Sequence, residues 1–217
     1  MTDAAQQPRK LYKVLVDGKS CYGGTLAWSL PSDGAPGDWH RVDGQLSMCN
    51  RGIHLTSDPA SWWVNGCRVY EAEAEEIAGV DGDSKTLCRG ARLMRELTDA
   101  IELQSLRIYT SGSHQISSGK IVASGSASVE ASDSASVRAS DSASVRAYGS
   151  ASVVAYGSAS VSMASGQATL VVFSGDISKI DLRDNAVIID RRGDRPIVTI
   201  AGEKPGKKPR KARKAKP

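Results

Sequence analysis

Five copies of an eight-residue repeat stand in a row between residues 125 and 164. They read GSASVEAS, DSASVRAS, DSASVRAY, GSASVVAY and GSASVSMA. Side chains alternate along an extended strand, and because eight is an even number, each copy places the same positions on the same face. Positions three, five and seven are Ala, Val and Ala or Met, which offer too little apolar surface for one strand to fold alone. Stacked coils would bury that surface, so the repeat predicts a parallel β-solenoid.

The repeat also predicts which side chains face inward and which face outward. Ala127, Val129 and Ala131 define the core face of the first copy. The opposite face carries larger polar and aromatic groups, which we interpret as a candidate binding surface formed by Arg138, Arg146, Tyr148 and Tyr156. Gly or Asp at position one tolerates the backbone conformations that a turn requires.

The period leaves two coil geometries open. Two octamers per coil would give a flattened roll, and three would give a triangular prism; the Ala-rich interior favours the flattened roll. The pattern extends backward to Ile121 and Ala123, and it resumes as GQATLVVF and DNAVIIDR after Ser165, which we interpret as a one-residue insertion.

The chain therefore divides into four predicted parts. Residues 1–9 are expected to be disordered, residues 10–108 to form a small α+β head domain, residues 117–201 to form the solenoid, and residues 202–217 to form a disordered basic tail. In the head, residues 10–16 and 68–74 have strand patterns. Ser57-Asp58-Pro59 and Thr98-Asp99 are typical helix N-terminal signals.

The positive charge of the chain is concentrated in its last fourteen residues, whereas the rest has a net negative charge. Such a tail can neutralise phosphates without reading bases, which makes nonspecific nucleic-acid binding one reading and a solubilising tail the other. Its cations are Lys204, Lys207, Lys208, Arg210, Lys211, Arg213, Lys214 and Lys216.

The signals for enzyme chemistry are weak. Four cysteines lack the close CxxC pairs of zinc ribbons, so we expect no metal site. No nucleotide-binding, nucleophile-elbow or zinc-protease motif is present, and we expect no cofactor. His54 lies in an apolar strand and is either structural or a ligand contact. Trp62 and Trp63 are either core residues or part of a contact patch.

Several short blocks of the head, in the same order, resemble the N-terminal domain of a widespread family of phage and prophage proteins. That domain has no established activity, and repeat tails often follow it in the family. The blocks are Tyr12 and Val14, Cys21 with the next Gly, Cys49 to His54, Arg68 to Ala74, Gly82 to Lys85, and Arg95 to Leu97. The resemblance implies phage origin, in the host cytoplasm or the virion. It carries over no catalytic residue, and at Ile53 and Thr56 the family has Phe and Cys.

A second likeness is to the fold of ADP-ribosyltransferases and RNA 2′-phosphotransferases. In those enzymes an early strand, a Gly-x-His-like turn and a late acidic residue line a nicotinamide pocket. The likeness implies Tyr12, His54 and Glu96 as site residues if the chain is an NAD-dependent enzyme that modifies a host protein or nucleic acid.

The leading functional prediction is a non-enzymatic accessory protein. We expect it to act through the solenoid, by binding a host or phage protein or by self-association into a homo-oligomer, because solenoid ends and edges invite stacking. The N-terminus has no apolar signal segment and no stretch is apolar enough to cross a membrane, so we expect a soluble protein with no membrane partner.

Overall fold

The structure is a computed structural model that describes residues 10–21, 24–82 and 84–202. The chain folds into two compact units. The first contains the described residues up to Thr110 together with residues 120–122, and the second contains residues 111–119 and those from Ala123 onward. The predictions of a disordered N-terminus and a disordered basic tail concern residues that lie almost entirely outside the described ranges.

The first unit is built around antiparallel strands. These are β1 (Leu11–Val16), β2 (Lys19–Ser20), β3 (His40–Arg41), β4 (Ile53–Thr56), β5 (Arg68–Asp81) and β6 (Lys85–Glu96), followed by helix α1 (Ala100–Ser105) and strand β7 (Ile108–Tyr109). Strand β1 pairs with β4, β4 with β6, β6 with β5, and β5 again with β1. The four strands thus form a closed ring of pairings.

Two groups of buried side chains flank strand β1, because its successive side chains point to opposite faces. Leu11 and Leu15 pack with Ile53, Leu55 and Leu93 on one face. On the other face Tyr12 and Val14 belong to a second cluster, which includes Trp63, Val69, Leu97, Leu103 and Ile108.

The prediction of an α+β head is not confirmed: the structure is mostly β with almost no helix. The signal at Pro59 produces only a 3-10 turn, Pro59–Trp62, and Trp63 is already extended. Asp99 does cap a helix, since its side chain accepts a hydrogen bond from the Glu102 N–H, but α1 has only six residues. Strand β5 runs for fourteen residues because it has partners in both β1 and β6.

A β-solenoid of about five turns occupies residues 108–190. Its strands after β7 are β8 (Ser113–Ile116), β9 (Lys120–Ala123), β10 (Ser128–Ala131), β11 (Ser136–Ala139), β12 (Ser144–Ala147), β13 (Ser152–Ala155), β14 (Ser160–Ala164), β15 (Thr169–Val172), β16 (Asp181–Leu182) and β17 (Val187–Asp190). Strand β18 (Ile197–Ile200) follows.

The strands of the second unit alternate between two parallel sheets. The even sheet has the order β16-β14-β12-β10-β8, and the odd sheet contains β17-β15-β13-β11. Ser128 pairs with Ser144, and Ser136 with Ser152, so one coil there contains two strands and two turns. This register agrees with the flattened roll.

The interior and the turns of the solenoid confirm the predicted parity. Ala127, Val129 and Ala131 are buried, as are the corresponding Ala and Val residues of the following copies. Position one has a positive φ in the described turns, at Asp133 (47°) and Asp141 (55°) as well as at Gly125, Gly149 and Gly157. Gly and Asp occupy that position because both tolerate left-handed backbone better than β-branched residues do.

The one-residue insertion lies earlier than the sequence pattern suggested. Val145 pairs with Val161, but Arg146 pairs with Met163 and Ala147 with Ala164, so the register shifts inside β14 rather than at Ser165. Ala164 consequently takes the core position, and Met163 is only half-buried. An extra residue inside a strand is absorbed as a bulge, which the repeat pattern alone does not locate.

Candidate functional site

A cleft of about 590 Å³ opens in the first unit. Residues of β1, β3 and β4, the start of β6, and the segments around Cys21 and Cys49 line it. Trp28 and Trp62 contribute aromatic wall, and the volume is in the range of small-molecule sites.

Lys13 of β1 is the most unusual group of the cleft. It shares a strand face with the core residues Leu11 and Leu15, and its side chain is half-buried. Its Nζ donates a hydrogen bond to the His54 carbonyl oxygen at 2.9 Å and lies 5.2 Å from the centre of the Trp28 ring. Burial, which disfavours the charged form, lowers the pKa of Lys13 to about 8.

The second lysine of the cleft, Lys85, contacts the Cys49 thiol. Lys85 Nζ lies 2.8 Å from Cys49 Sγ and 5.7 Å from the centre of the Trp62 ring. The Cys49 N–H donates to His54 Nε2 at 3.2 Å, which leaves the proton of a neutral His54 ring on Nδ1. Burial, followed by the nearby charges of Lys85 and Lys13, lowers the pKa of His54.

The backbone between Cys49 and His54 contains two residues with positive φ, a conformation that few residue types adopt readily. Cys49 has a φ of 63° and Gly52 a φ of 136°. L side chains rarely adopt that φ, and a Cβ on Gly52 would also meet Leu87 Cδ1 at 2.3 Å, so glycine is strongly favoured there. The block Cys49 to His54 therefore serves as the bend that brings the cysteine and histidine to one side of the cleft.

His40 of β3 also lines the cleft. Its Nε2 accepts a hydrogen bond from the Ser29 N–H at 2.9 Å, and its ring meets Trp28 edge-on at 5.1 Å. Arg41, next to it, forms an ion pair with Glu75. These contacts anchor the loop that carries Trp28.

The lining carries one sign of charge. Lys13, Arg41 and Lys85 line the cleft, and no Asp or Glu does among the described residues. The Arg41 charge is offset by Glu75, but neither lysine forms a salt bridge with a described carboxylate. The cleft is thus electropositive, although the chain without its last fourteen residues has a net negative charge.

Of the three residues implied by the transferase likeness, two meet at the cleft. Tyr12 and His54 are among its lining residues. Glu96 is outside the lining and contacts Arg68 Nη1 at 3.2 Å and Tyr70 Oη at 3.4 Å. Burial raises the pKa of Tyr12, whose side chain packs in the core. The acidic partner that a nicotinamide site needs is not brought to His54.

The two adjacent tryptophans do not form a shared exposed patch. Trp63 is buried in the second core cluster, whereas Trp62 is half-buried and belongs to the cleft. The four cysteines form no disulfide bond. Cys67 and Cys88 are buried, and burial raises the pKa of Cys88 to about 11. Cys21, also in the cleft, donates to the Val14 carbonyl oxygen at 3.3 Å, and burial raises its pKa.

The predicted outer surface of the solenoid is divided between two faces. Arg138 lies on the odd sheet, and Arg146 lies on the even sheet, 3.4 Å from Glu130. Tyr148 is half-buried after β12. Tyr156 follows β13 and stacks on Phe173, with ring centres 5.1 Å apart. The arginines and tyrosines therefore do not form one lattice.

Residues that the sequence reasoning passed over lie at the end of the odd sheet. Strand β18 pairs antiparallel with β17, with Ile189 opposite Val198 and Val187 opposite Ile200. Ile197 is 63% exposed and Val198 is 59% exposed. The apolar run IVTI is visible in the sequence, but its alternation does not distinguish a further coil from a reversed strand.

The tail cations from Lys204 to Lys216 lie outside the described residues. Among the residues that are described, no helix is both long and apolar enough to cross a membrane. No known family model, curated protein or solved structure matches this chain.

Proposed function

We propose that this chain is a phage-encoded accessory protein that acts by binding another protein rather than by catalysis. In this proposal the eight-residue repeat is the building unit of the solenoid, and strand β18 receives an extended segment of the partner. The observation that carries the proposal is the exposed apolar edge of β18. The phage assignment is supported by the resemblance of the head motifs.

The hydrogen bonds of β18 indicate which of its backbone groups are available. The Ala201 N–H donates to the Ala186 carbonyl oxygen, so residue 201 faces β17. Hydrogen-bonding direction alternates along an antiparallel strand, so Thr199 and Ile197 also face β17, and the N–H and C=O groups of Val198 and Ile200 point to the other side. Strand β18 is the terminal strand of its sheet, which leaves that side as an edge.

The two sheets end differently, and the difference singles out β18. The even sheet ends in β16, which has only two residues, and Asp181 there is bonded to Arg183. Short strands and charges are common ways to protect an edge from pairing. Strand β18 has four residues and presents Ile and Val instead, so it has the features of a strand that accepts another strand.

The charges around β18 indicate the chemistry of the partner. Asp190 is paired with Arg192, which leaves Arg191, Asp194 and Arg195 before the strand, and the eight tail cations follow it in sequence. Both flanks are net positive. The best complement is an extended, β-branched segment with carboxylates at each end; a second copy of β18 would bring cationic flanks together.

The test is binding of a fluorescent strand peptide of alternating Val and Thr with two Glu at each end. The full chain should increase its anisotropy saturably, and a peptide with Lys in place of Glu should bind at least tenfold more weakly. Val198→Pro removes an edge donor without removing a hydrogen bond to β17, and it should abolish binding. The matched control is Ile101→Lys, at a 79% exposed residue of the first unit.

Equal binding by Val198→Pro and the unaltered chain would overturn the proposal, as would failure of the peptide to bind. Molar mass measured by light scattering tests whether a second copy of the chain, rather than another protein, pairs with β18. A dimer that Val198→Pro converts to a monomer would assign the edge to a second copy and would also overturn the proposal of an acidic partner segment.

A further inference from the structure

We propose that the cleft of the first unit binds a small organic oxyanion, a carboxylate or phosphate compound of up to mononucleotide size, between the Lys13 and Lys85 ammonium groups. This site is independent of the protein contact proposed for β18. It also differs from the transferase likeness, because it requires no catalytic acid and no nicotinamide.

Lys13 occupies an unusual position for a charged side chain. An ammonium group has three N–H donors, and the one acceptor found for Lys13 among the described residues is the His54 carbonyl oxygen. A buried charge is costly unless a counter-charge accompanies it. Here the face of Trp28, 5.2 Å from Nζ to the ring centre, offers partial compensation. An oxyanion in the cleft would provide the missing acceptors.

Two lysines converge on His54. Lys13 bonds its carbonyl oxygen, and Lys85 contacts Cys49, whose N–H bonds its imidazole. Sulfur is a weak hydrogen-bond acceptor, so the Lys85 ammonium also retains donors for a ligand. Charge-assisted hydrogen bonds from two ammonium groups to one anion are among the strong ones.

The size and lining of the cleft suit such a ligand. A cleft of about 590 Å³ is large enough for a mononucleotide or a tricarboxylate. The described lining contains no carboxylate that would repel an anion. Because Trp62 and Trp28 line the same cleft, and both fluoresce, ligand entry should be observable directly.

Proton uptake provides a signature that a merely structural lysine would not give. The titratable groups that interact with Lys13 are the thiols of Cys21 and Cys88, the ammonium of Lys85 and the imidazole of His54, and burial holds the Lys13 pKa at about 8. A bound anion favours the charged form and raises that pKa. Binding at pH 8.5 should therefore take up a fraction of a proton, measured by calorimetry in two buffers of different ionisation enthalpy.

The probes are AMP, citrate and inorganic phosphate, with uncharged adenosine as the comparison, titrated into the full chain. At least one anion should bind and change the tryptophan fluorescence, and adenosine should bind at least tenfold more weakly. Lys13→Met and Lys85→Met should each weaken anion binding at least tenfold, and Lys13→Met should abolish the proton uptake. Lys179→Met, at an exposed solenoid lysine, is the matched control and should change nothing.

The results distinguish the two sources of an oxyanion. Tighter binding of AMP than citrate assigns a phosphate ligand, and the reverse assigns a carboxylate. The proposal is overturned if adenosine binds as tightly as AMP, if no anion binds at millimolar concentration, or if both lysine variants retain full affinity. Because Lys85 is in contact with solvent, its variant keeps the test decisive even if Lys13→Met alters folding.

Discussion

The interior of the solenoid consists of Ala and Val almost throughout, whereas the interior of the first unit contains Trp, Tyr and Leu, with the half-buried Lys13 beside it. In the solenoid each core residue contacts copies of itself in adjacent coils, so small side chains suffice. In the first unit long strands close a ring and leave a cleft at its wall, where a charge is tolerated. The solenoid thus provides an outer surface and strand edges, whereas the first unit provides a cleft.

The two interiors can be observed separately, because all four tryptophans, Trp28, Trp39, Trp62 and Trp63, belong to the first unit. Tryptophan fluorescence therefore reports unfolding of that unit, and far-UV circular dichroism reports both.

The largest effect is expected from a charge in the solenoid core. Val145 is 0% exposed, and Val145→Asp places a carboxylate among Ala and Val side chains that offer no partner. An uncompensated buried charge costs about 3–5 kcal/mol, enough to unfold the surrounding coils. Far-UV ellipticity should fall while tryptophan fluorescence stays native.

The control for that substitution is Ser128→Asp, at an exposed position on the other face of the repeat. It should leave the ellipticity unchanged. If Val145→Asp were also tolerated, the interior would not be the close-packed core that the structure describes.

A cavity should cost more in the first unit than in the solenoid. Leu93 is fully buried, and Leu93→Ala should lower the free energy of unfolding by about 2–5 kcal/mol, as large-to-small core substitutions do. Val153→Ala removes only two carbons, at ~0.8 kcal/mol each before any cavity term. Urea titration followed by fluorescence for the first variant and by ellipticity for the second measures both losses. Equal losses would contradict the contrast between the two cores.

Lys13 should make the unfolding free energy of the first unit depend on pH in the alkaline range. Its pKa falls from 10.5 to about 8 on folding, so the unfolded state binds more protons between those values and stability rises with pH there. Each unit of pKa shift corresponds to ~1.4 kcal/mol, so the gain amounts to about 3 kcal/mol at most. Lys13→Met should remove this gain.

The expected quantity is the difference between the unaltered chain and Lys13→Met, because other groups titrate in the same range. Burial raises the pKa values of Cys21, Cys88, Tyr12 and Tyr70, and these groups lower stability as pH rises. Tyr12 and Tyr70 are common to both chains and cancel, whereas the pKa values of Cys21 and Cys88 rise further in Lys13→Met because Lys13 lowers them in the unaltered chain. If the difference in unfolding free energy were constant from pH 7.5 to pH 10.5, then Lys13 would carry no buried charge.

The same contrast explains how much of the fold could be predicted from the sequence. The solenoid interior and its turns follow from an even period, which is a local property. The closed ring does not: Lys13 pairs with Tyr70 of β5, and Leu11 with Ala72, which are far away in sequence. Propensity and spacing also overestimated helix after Pro59, where a 3-10 turn ends at Trp62 and Trp63 is already extended.

The candidate site shows the same division. His54 stands out in the sequence because histidine is rare in an apolar strand, and it does line the cleft. Lys13 does not stand out, since a lysine that alternates with apolar residues is typical of a solvated strand face. Its Nζ lies 5.2 Å from the Trp28 ring centre, and the loop that carries Trp28 is bonded to His40 through the Ser29 N–H. Neither contact can be predicted from the spacing of these residues in the sequence. The repeat pattern identified neither strand β18 nor its antiparallel pairing with β17, because residues 197–200 do not continue the octamer.

The smallest expected effect concerns the turns of the solenoid. Asp141 has a φ of 55°, and its Oδ2 accepts a hydrogen bond from the Gly125 N–H at 3.3 Å. Asp141→Ala loses that bond and places an ordinary side chain in left-handed backbone, at a cost of about 1–2 kcal/mol. Asp141→Gly loses the bond but keeps the backbone unstrained, so its midpoint in urea, followed by ellipticity, should change little. Ser142→Ala, at the next exposed turn position, is the control. If Asp141→Gly were as destabilising as Asp141→Ala, the side-chain bond rather than the backbone would select Asp at this position, and the exchange of Gly for Asp among the repeats would need a different cause.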